Sequence, residues 1–589
     1  MEDKSDRKML TKLIYRLLPN QILLAAVGSI NGLVSSYFAT NYLGVMSMSA
    51  VGLYSPISML LVAISTVLVS GSTIMCGKYM GRNQQDKLQK NYSLTLVFTF
   101  IVSLVLAGFH LLTALTPFAR VFTKDPEVIP LFQRYMLGQS LGQIPFFLGC
   151  QFSADLLMEN KGNRVIVATT TYMISTVIFN IVFIPVLKLG TFGLALASAL
   201  GLWIFMAVQG QFFVSGKSHL KFNARGLEWK ESLSIVHTGI PGGLSSGYQT
   251  IRGIVVNSLL AMYIGSVGIS AYASADNLLR ITWSVPIGML IVCRMLFSIS
   301  IGEEDRRTVA DIMRVMFRSL LPVLSLMCLA LILLAVPITR IFYRDPSEPV
   351  YNMTLWGIRI IPLCMPMSLI CTFFVCYAQA SNKQFLVHLL SAMDGVIDVV
   401  ACAVILTPIM GINGVYISIV LNGVLTTIAI VIYSIARKKR FPRNMDDLMV
   451  IPDDFGVPDE DRIDISVRNM DEVMDLSVKV QEFCEKHGKE KERASIAGLA
   501  IEEMAGNIVD HGFKKDKKKH SIDIRVTLKG EDIILRIKDD CVPFDPGARA
   551  QMRSDKDPLK NIGIKTVFGL AKSTEYQNML GLNVLTIRL

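Results

Sequence analysis

Val121-Phe122-Thr123-Lys124-Asp125-Pro126 returns further along the chain as Ile341-Phe342-Tyr343-Arg344-Asp345-Pro346, with the two aspartates 220 residues apart. Other landmarks keep nearly the same offset: Gly44 pairs with Gly265, and Gly190-x-x-Gly193 with Gly411-x-x-Gly414, both at 221 residues. Apolar stretches match one another by chance, so the polar and glycine positions carry the inference. A constant offset means an internal duplication.

Between these landmarks, apolar stretches with few charges recur from about Leu17 to Tyr433. A bilayer core of about 30 Å needs about 20 apolar residues per helix at about 1.5 Å each. Twelve segments meet that need, near residues 17–42, 49–76, 92–116, 132–157, 164–187, 191–214, 236–263, 268–300, 317–339, 351–378, 385–408 and 413–435. With 589 residues, 52% of them hydrophobic, and a mean hydropathy of +0.47, the chain is too apolar for an ordinary soluble enzyme. Its first apolar run exceeds a secretory h-region and similar runs follow, so it reads as a retained span with no cleavage.

The net charge of +11 lies largely in short connections between spans. Membrane orientation accounts for it, and no recognition motif accompanies it, so nucleic acid is not the partner. Lys4, Arg7, Lys8 and Lys12 precede the first span, and Lys78, Arg82, Lys87 and Lys90 follow the second. Lys161 with Arg164, Lys217 to Lys230, Arg306 to Arg318, Lys383 and Arg437-Lys438-Lys439-Arg440 fall on the same side. Connections such as Leu43 to Ser47 and Ile264 to Ser270 carry no positive charge, and Arg120, Lys124, Arg340 and Arg344 have acidic neighbours. Both termini are therefore expected in the cytoplasm of a bacterial inner membrane. The ten cysteines lie mostly in apolar segments, and the closest pair, Cys371 and Cys376, lacks C-x-x-C spacing. They read as small buried side chains.

Residues 10–440 resemble the multidrug and toxic compound extrusion family, within a superfamily that includes polysaccharide and lipid flippases. The resemblance rests on Pro19, Tyr42-Leu43-Gly44, Ser49-Ala50-Val51-Gly52, Gly77-x-x-x-Gly81 and Gly190-x-x-Gly193-x-Ala195-x-Ala197, taken in order. It implies two six-helix lobes, here 1–220 and 221–440, and alternating access driven by a proton or sodium gradient. The substrate would be a small organic or lipid-linked molecule, with membrane lipids as surroundings. Where the family often has an acidic residue in the first span, this chain has Ser35. The C-terminal lobe instead carries Arg252, Asp276, Arg280, Arg359, Asp394 and Asp398 within spans. Intramembrane charge is costly enough to suggest function. Asp394 and Asp398, four residues apart, share a helix face; they either share a proton, or are neutralised by Arg252 or Arg359, or belong to a structural ion-pair network. Asp155 and Glu159, at the end of the fourth span, are expected at a solvated interface.

A Pro- and Asp-rich stretch after Arg440 reads as a linker over 441–460, followed by a small α/β domain over 461–589. Strands are predicted at 463–467, 521–528, 532–538 and 582–588, and helices near 470–487, 492–511 and 559–572. Glu502-Glu503-Met504-Ala505-Gly506-Asn507-Ile508-Val509-Asp510-His511-Gly512-Phe513 places Glu503 and Asn507 on one helix face, and Asp539-Asp540-Cys541-Val542-Pro543-Phe544-Asp545-Pro546 ends a strand in a turn. The pair resembles the GHKL (Bergerat-type) ATPase superfamily and, within it, the anti-sigma-factor serine kinases. That resemblance implies ATP and Mg²⁺ as cofactors, with Asn507 on the metal, Glu503 as general base and Asp539 on the adenine amino group. Gly563 in Asn561-Ile562-Gly563 would open the helix beside the phosphates. Cys541 and Asn561 stand where the family has glycine, which leaves a domain without turnover as an alternative.

Ser215-Gly216-Lys217-Ser218 is not a P-loop, because Gln211 occupies the first glycine position and no strand precedes it. Lys514 to Lys519 reads as a solvated turn or a contact for anionic lipid headgroups. The expected architecture is an all-α polytopic membrane domain of twelve spans in two six-helix repeats, followed by a small α/β cytoplasmic domain. The expected function is proton- or sodium-coupled efflux of organic solutes with a regulatory ATP-binding domain. The alternatives are a membrane-tethered serine kinase acting on an anti-anti-sigma-like (STAS) partner, and a lipid or polysaccharide flippase.

Overall fold

Apolar runs of this length form helices because lipid offers backbone N–H and C=O groups no partner, and a helix satisfies its own. The computed structural model describes residues 6–38, 42–43, 45–123, 125–223, 227–343, 345–513, 520–546 and 562–589. Lys4, Gly44, Lys124, Arg344, Lys514 to Lys519 and Asn561 lie outside them, as do the side chains of Arg7, Lys8, Ser35 and Arg280.

The spans are α1 (Asp6–Phe38), α2 (Val45–Gly81), α3 (Gln85–Leu115), α4 (Val128–Ser140 and Gln143–Met158), α5 (Gly162–Val186) and α6 (Gly190–Val214) in the first lobe. The second lobe has α7 (Lys230–Tyr263), α8 (Ser266–Thr282 and Ser284–Gly302), α9 (Arg306–Leu333), α10 (Pro349–Ala380), α11 (Gln384–Met410) and α12 (Ile412–Lys438). Among the described residues, nine helices are long and apolar enough to cross a membrane; α4 is not among them, being interrupted at Leu141 and Gly142.

The duplication is built into the backbone. Asp125 Oδ1 accepts from the Glu127 N–H at 3.0 Å, and Asp345 Oδ1 from the Ser347 N–H at 2.9 Å, so both copies of the landmark close the same side-chain turn. Gly190 and Gly411, at the starts of α6 and α12, have φ of +62° and +60°, a region that favours glycine.

The lobes meet through small residues at the end nearer the C-terminal domain. A Cβ on Gly77 would lie 2.7 Å from the Ser298 Cβ, one on Gly81 would strike the Ile299 carbonyl, and one on Gly302 would strike Lys78. α7 packs as closely on α2, with Gly71 against the Ile235 backbone and Gly239 against Val67. Toward the opposite ends of these helices, a Cβ on Gly52, Gly247 or Gly253 would meet nothing within 4 Å. The cleft between the lobes is therefore closed at the domain side.

Residues 441–460 pack against the second lobe. Asn444 caps α13 (Met445–Met449) by accepting from the Asp447 N–H at 2.8 Å, Met449 and Ile451 are buried, and Lys383 Nζ donates to the Met449 carbonyl at 3.1 Å. The C-terminal domain is a five-stranded antiparallel sheet in the order β1-β2-β3-β5-β4: β1 (Arg462–Val467), β2 (Ile522–Lys529), β3 (Asp532–Asp539), β4 (Ser573–Met579) and β5 (Leu582–Arg588). Its apolar face holds Ile522, Ile524, Val526, Leu535 and Ile537 against α14 (Met470–Lys486), α15 (Lys491–Asn507) and α16 (Ile562–Leu570). β4, absent from the predicted strands, pairs with β5 through a tight turn at Leu580 and Gly581, both at positive φ.

The charged face of the sheet, set by period-two alternation, covers the connection between α8 and α9. Asp305 receives Arg525 and, at 3.6 Å, Arg462; Glu303 receives Lys538 at 2.8 Å and Arg536 at 3.6 Å. Burial alone raises the pKa of Asp305, but the Arg525 and Arg462 guanidiniums outweigh it and hold the carboxyl well below the usual range. The first lobe is touched by the same domain: Lys12 Nζ pairs with Asp540 at 2.6 Å, Gln577 Nε2 donates to the Met80 carbonyl at 3.1 Å, and the Leu580 N–H to the Met158 carbonyl at 3.3 Å.

Candidate functional sites

In the second lobe, α11 is interrupted by a π turn, Met393–Ile397, which gives Gly395 close approach to Tyr248 of α7. Such turns recur at functional sites. The turn carries Asp394, whose Oδ1 accepts from Asn422 Nδ2 at 2.9 Å and which Ser368 and Arg252 also face. One turn on, Asp398 is 6% exposed and its Oδ2 has no partner. Of the two arginines expected near this pair, the structure brings Arg252; Arg359 instead stacks over Trp356 at 5.4 Å. Asp276 sits half-buried on the first piece of α8.

Two features of the membrane domain depart from the sequence reading. Asp155 and Glu159 are not solvated: they are 1% and 8% exposed, and the chain from Ser218 to Leu220 folds over Glu159 at the end of α4. Glu159 accepts from the Ser218 hydroxyl and the Leu220 N–H, both at 2.8 Å, while Asp155 Oδ1 accepts from Gln151 at 3.1 Å and its Oδ2 has no partner. The sequence reading also passed over Arg294, which is 6% exposed inside α8. A lone arginine within Ile291-Val292-Cys293-Arg294-Met295-Leu296 was the available signal.

In the C-terminal domain, a cavity of about 270 Å³ opens beside the end of α15 and is lined by Asn507, His511, Asp539, Cys541, Phe544 and Tyr576, among others. Asp539 is 4% exposed, and its Oδ1 accepts from the Cys541 N–H at 2.9 Å and Asn583 Nδ2 at 2.8 Å. Burial raises its pKa, against the lowering effect of those donors. The Cys541 thiol reaches the same carboxylate, so the residue in the glycine position joins the network. Asn583 is oriented in turn by the Tyr576 hydroxyl, which donates to its Oδ1 at 2.8 Å. Asn507 donates to the Glu503 carbonyl, which turns its amide oxygen free for a cation. A Cβ on Gly563 would overlap the Glu503 carboxylate, so the absence of a side chain there makes room for Glu503. Of the four residues named from sequence, Asn507 and Asp539 line the cavity, while Glu503 and Gly563 lie against each other and are not in its lining. A buried acceptor at Asp539 fits an adenine amine, and the Asn507 oxygen fits a hard cation such as Mg²⁺.

Comparison with known proteins separates the same two parts. The MatE family model matches residues 23–186 and 241–404, one match per repeat and more than half of the chain together. The chain belongs to the MatE family. A model described as Histidine kinase-like ATPase domain matches residues 469–589. Relatives of this MatE protein include the probable multidrug resistance protein YoeA of Bacillus subtilis (strain 168), 25% identical over 322 residues, or 52% of this chain and 67% of the relative. Another is the multidrug export protein MepA of Staphylococcus haemolyticus (strain JCSC1435), 24% identical over 352 residues, or 57% and 75% of the two chains. A variant of the Vibrio cholerae MATE transporter VcmN superposes with TM-score 0.68 at 18% identity, covering 74% of this chain and 99% of that one. An outward-facing multidrug resistance MATE family transporter of the MOP superfamily gives 0.66 at 19% identity, over 71% and 94%. The MatE protein described here is a multi-pass membrane transporter with a kinase-like ATPase domain at its C-terminus.

Proposed function

We propose that this MatE protein exports organic solutes across a bacterial inner membrane, driven by a proton or sodium gradient acting at Asp394 and Asp398. The carrying observation is the unpartnered, buried Oδ2 of Asp398 beside an Asp394 that already uses Asn422 and Arg252. An ionised carboxylate without a partner in this setting costs several kcal/mol, so a proton or a monovalent cation stabilises it. The relatives named for multidrug resistance and export support organic solutes as the cargo. In this reading both termini are cytoplasmic and the C-terminal domain regulates transport by binding ATP with Mg²⁺. Asp539 would accept from the adenine amine and Asn507 would hold the ion that neutralises phosphate charge.

Proteoliposomes loaded with ethidium and lacking ATP, given an imposed pH or sodium gradient, test the transport claim. Gradient-dependent efflux that D394N and D398N abolish is the expected result; efflux that strictly requires ATP hydrolysis sinks it. Serine phosphorylation of a STAS-type partner is a second reading of the domain, favoured by the Glu503 carboxylate lying against Gly563. Phosphate transfer that persists in D394N and disappears in E503Q would establish it.

A further inference from the structure

Arg294, in the second piece of α8, is a buried cation that no acid accompanies. Its Nε has no partner, and no salt bridge or side-chain hydrogen bond reaches its guanidinium among the described residues. The groups around it are Cys293 on its own helix, Cys376 on α10, Gly242 on α7, and Thr66 and Ser70 across the seam on α2 of the first lobe. A Cβ on Gly242 would lie 3.8 Å from Arg294 Nη2 and 3.2 Å from both Ser70 Oγ and Thr66 Cγ2, so the glycine keeps a side chain from crowding the approach to the guanidinium. Cys376 is a thiol rather than a carboxylate, and its sulfur lies 3.5 Å from the Leu290 carbonyl, within donating distance. Asp394 accepts instead from Asn422, with Arg252 as the basic group that faces it.

The place is informative. Closer to the C-terminal domain the seam is shut where Gly71 meets Ile235 and Gly77 meets Ser298; toward the other end it opens around Gly247 and Gly253. Arg294 therefore stands where the closed half of the cleft gives way to the open half, near mid-span. Transporters of repeat architecture bind their cargo at that level.

A buried carboxyl escapes its desolvation cost by taking a proton, but a guanidinium cannot give one up. An uncompensated guanidinium in a membrane interior costs several kcal/mol, and its planar fork of donors matches the paired oxygens of a carboxylate, phosphate or sulfonate. We infer that Arg294 is an anion-recognition point at the floor of the transport cleft, and that the preferred cargo of this transporter is an organic molecule bearing a carboxylate, phosphate or sulfonate group. This rests on the export reading above and narrows its substrate class.

The test uses the purified full-length protein and a matched pair of dyes: rhodamine B, with a free carboxylate, and its ethyl ester, in which that charge is masked. Fluorescence polarisation should show rhodamine B binding at least about tenfold tighter than the ester, the effect of one charge-assisted pair. R294Q should erase the preference, R294K should retain part of it, and C376S should leave it intact. Equal affinities in the wild type, or a preference that survives R294Q, overturn the inference. A thermal shift produced by chloride and lost in R294Q, without any dye preference, assigns the site to an inorganic anion and overturns the substrate class. Gradient-driven ethidium efflux is read separately, so its loss alongside a retained dye preference would count against the export reading alone.

Discussion

At the residue scale, Asp539 and Asp305 are buried carboxyls with opposite electrostatics, and the contrast predicts opposite behaviour. Burial dominates at Asp539 and raises its pKa despite the Asn583 and Cys541 donors. Folding therefore disfavours its ionised form, and wild-type stability gains as pH falls through the raised value. D539N should raise the melting temperature of the unliganded protein at neutral pH, with the advantage fading on acidification. The same change should weaken ATP binding by about tenfold or more, since a hydrogen bond to a charged acceptor contributes about 1.5–3 kcal/mol; calorimetry on the full chain reads it. At Asp305 the arginines win and the pKa is depressed. Its contribution is present above the ordinary carboxylate value of about 3.9 and is lost only as pH falls through the lower folded value. D305N removes one of the two carboxylates, Asp305 and Asp464, that Arg525 and Arg462 share, and the one that belongs to the second lobe, so it should weaken docking, seen as faster hydrogen exchange in β2. Glu503, Asn507 and Asp539 are singled out by a resemblance that rests on motifs of short local spacing. The burial of Glu159 could not be read from the sequence, because it depends on residues 218–220 arriving from a distant connection.

Elements follow the same division between local and non-local cause. Nine of the spans, among the described residues, are legible from apolar length alone, and the inner strands β2 and β3 from period-two alternation. β4 is not: Ser573-Thr574-Glu575-Tyr576-Gln577-Asn578-Met579 lacks an apolar face, as an edge strand can when its exposed side is charged or polar. The π turn in α11 and the break in α4 also leave no mark in hydropathy, since each depends on which helix packs alongside. The β4–β5 hairpin is nevertheless a point of attachment. Its tip places Gly581, at φ +79°, against the Asn160 side chain, and the neighbouring Leu580 N–H bonds the Met158 carbonyl. G581V combines an unfavourable backbone conformation, of the order of 1 kcal/mol, with a collision at Asn160. It should release the hairpin tip from α4 while leaving the sheet folded. Hydrogen exchange rising at Leu580 and at the end of α4, with β2 and β3 unchanged, is the expected pattern; exchange rising throughout the sheet would mean that the domain itself depends on this turn.

For the whole molecule, the duplication visible in the two Asp-Pro landmarks foretold two lobes, but no spacing in the chain announced that the C-terminal domain would touch both. Alternating access requires the lobes to part at the end that the domain covers, so a sheet fixed to each must let go of one. The two attachments differ in strength. On the second lobe, Glu303 and Asp305 have side chains 1% exposed and face four basic groups of the sheet, and breaking buried pairs of this kind costs about 3–5 kcal/mol. On the first lobe the ion pair is Lys12 with Asp540, where Lys12 is 61% exposed and such pairs contribute about 0–1 kcal/mol. The domain should therefore travel with the second lobe and release the first. Because Asp540 follows Asp539 directly, the residue lining the cavity of the C-terminal domain and the one holding α1 lie on the same short turn. Spin labels at exposed Lys87 in the first lobe and Phe385 in the second report the separation by pulsed electron resonance. K12Q should increase the long-distance population, and so should raising the salt concentration to about 1 M, where the screening length falls to about 3 Å. D305N should loosen the sheet from the second lobe in the exchange measurement without depending on salt in the same way. If K12Q and high salt both leave the distances unchanged, the first-lobe contact is not the one that yields, and the hairpin at Gly581 becomes the site at which release must be sought.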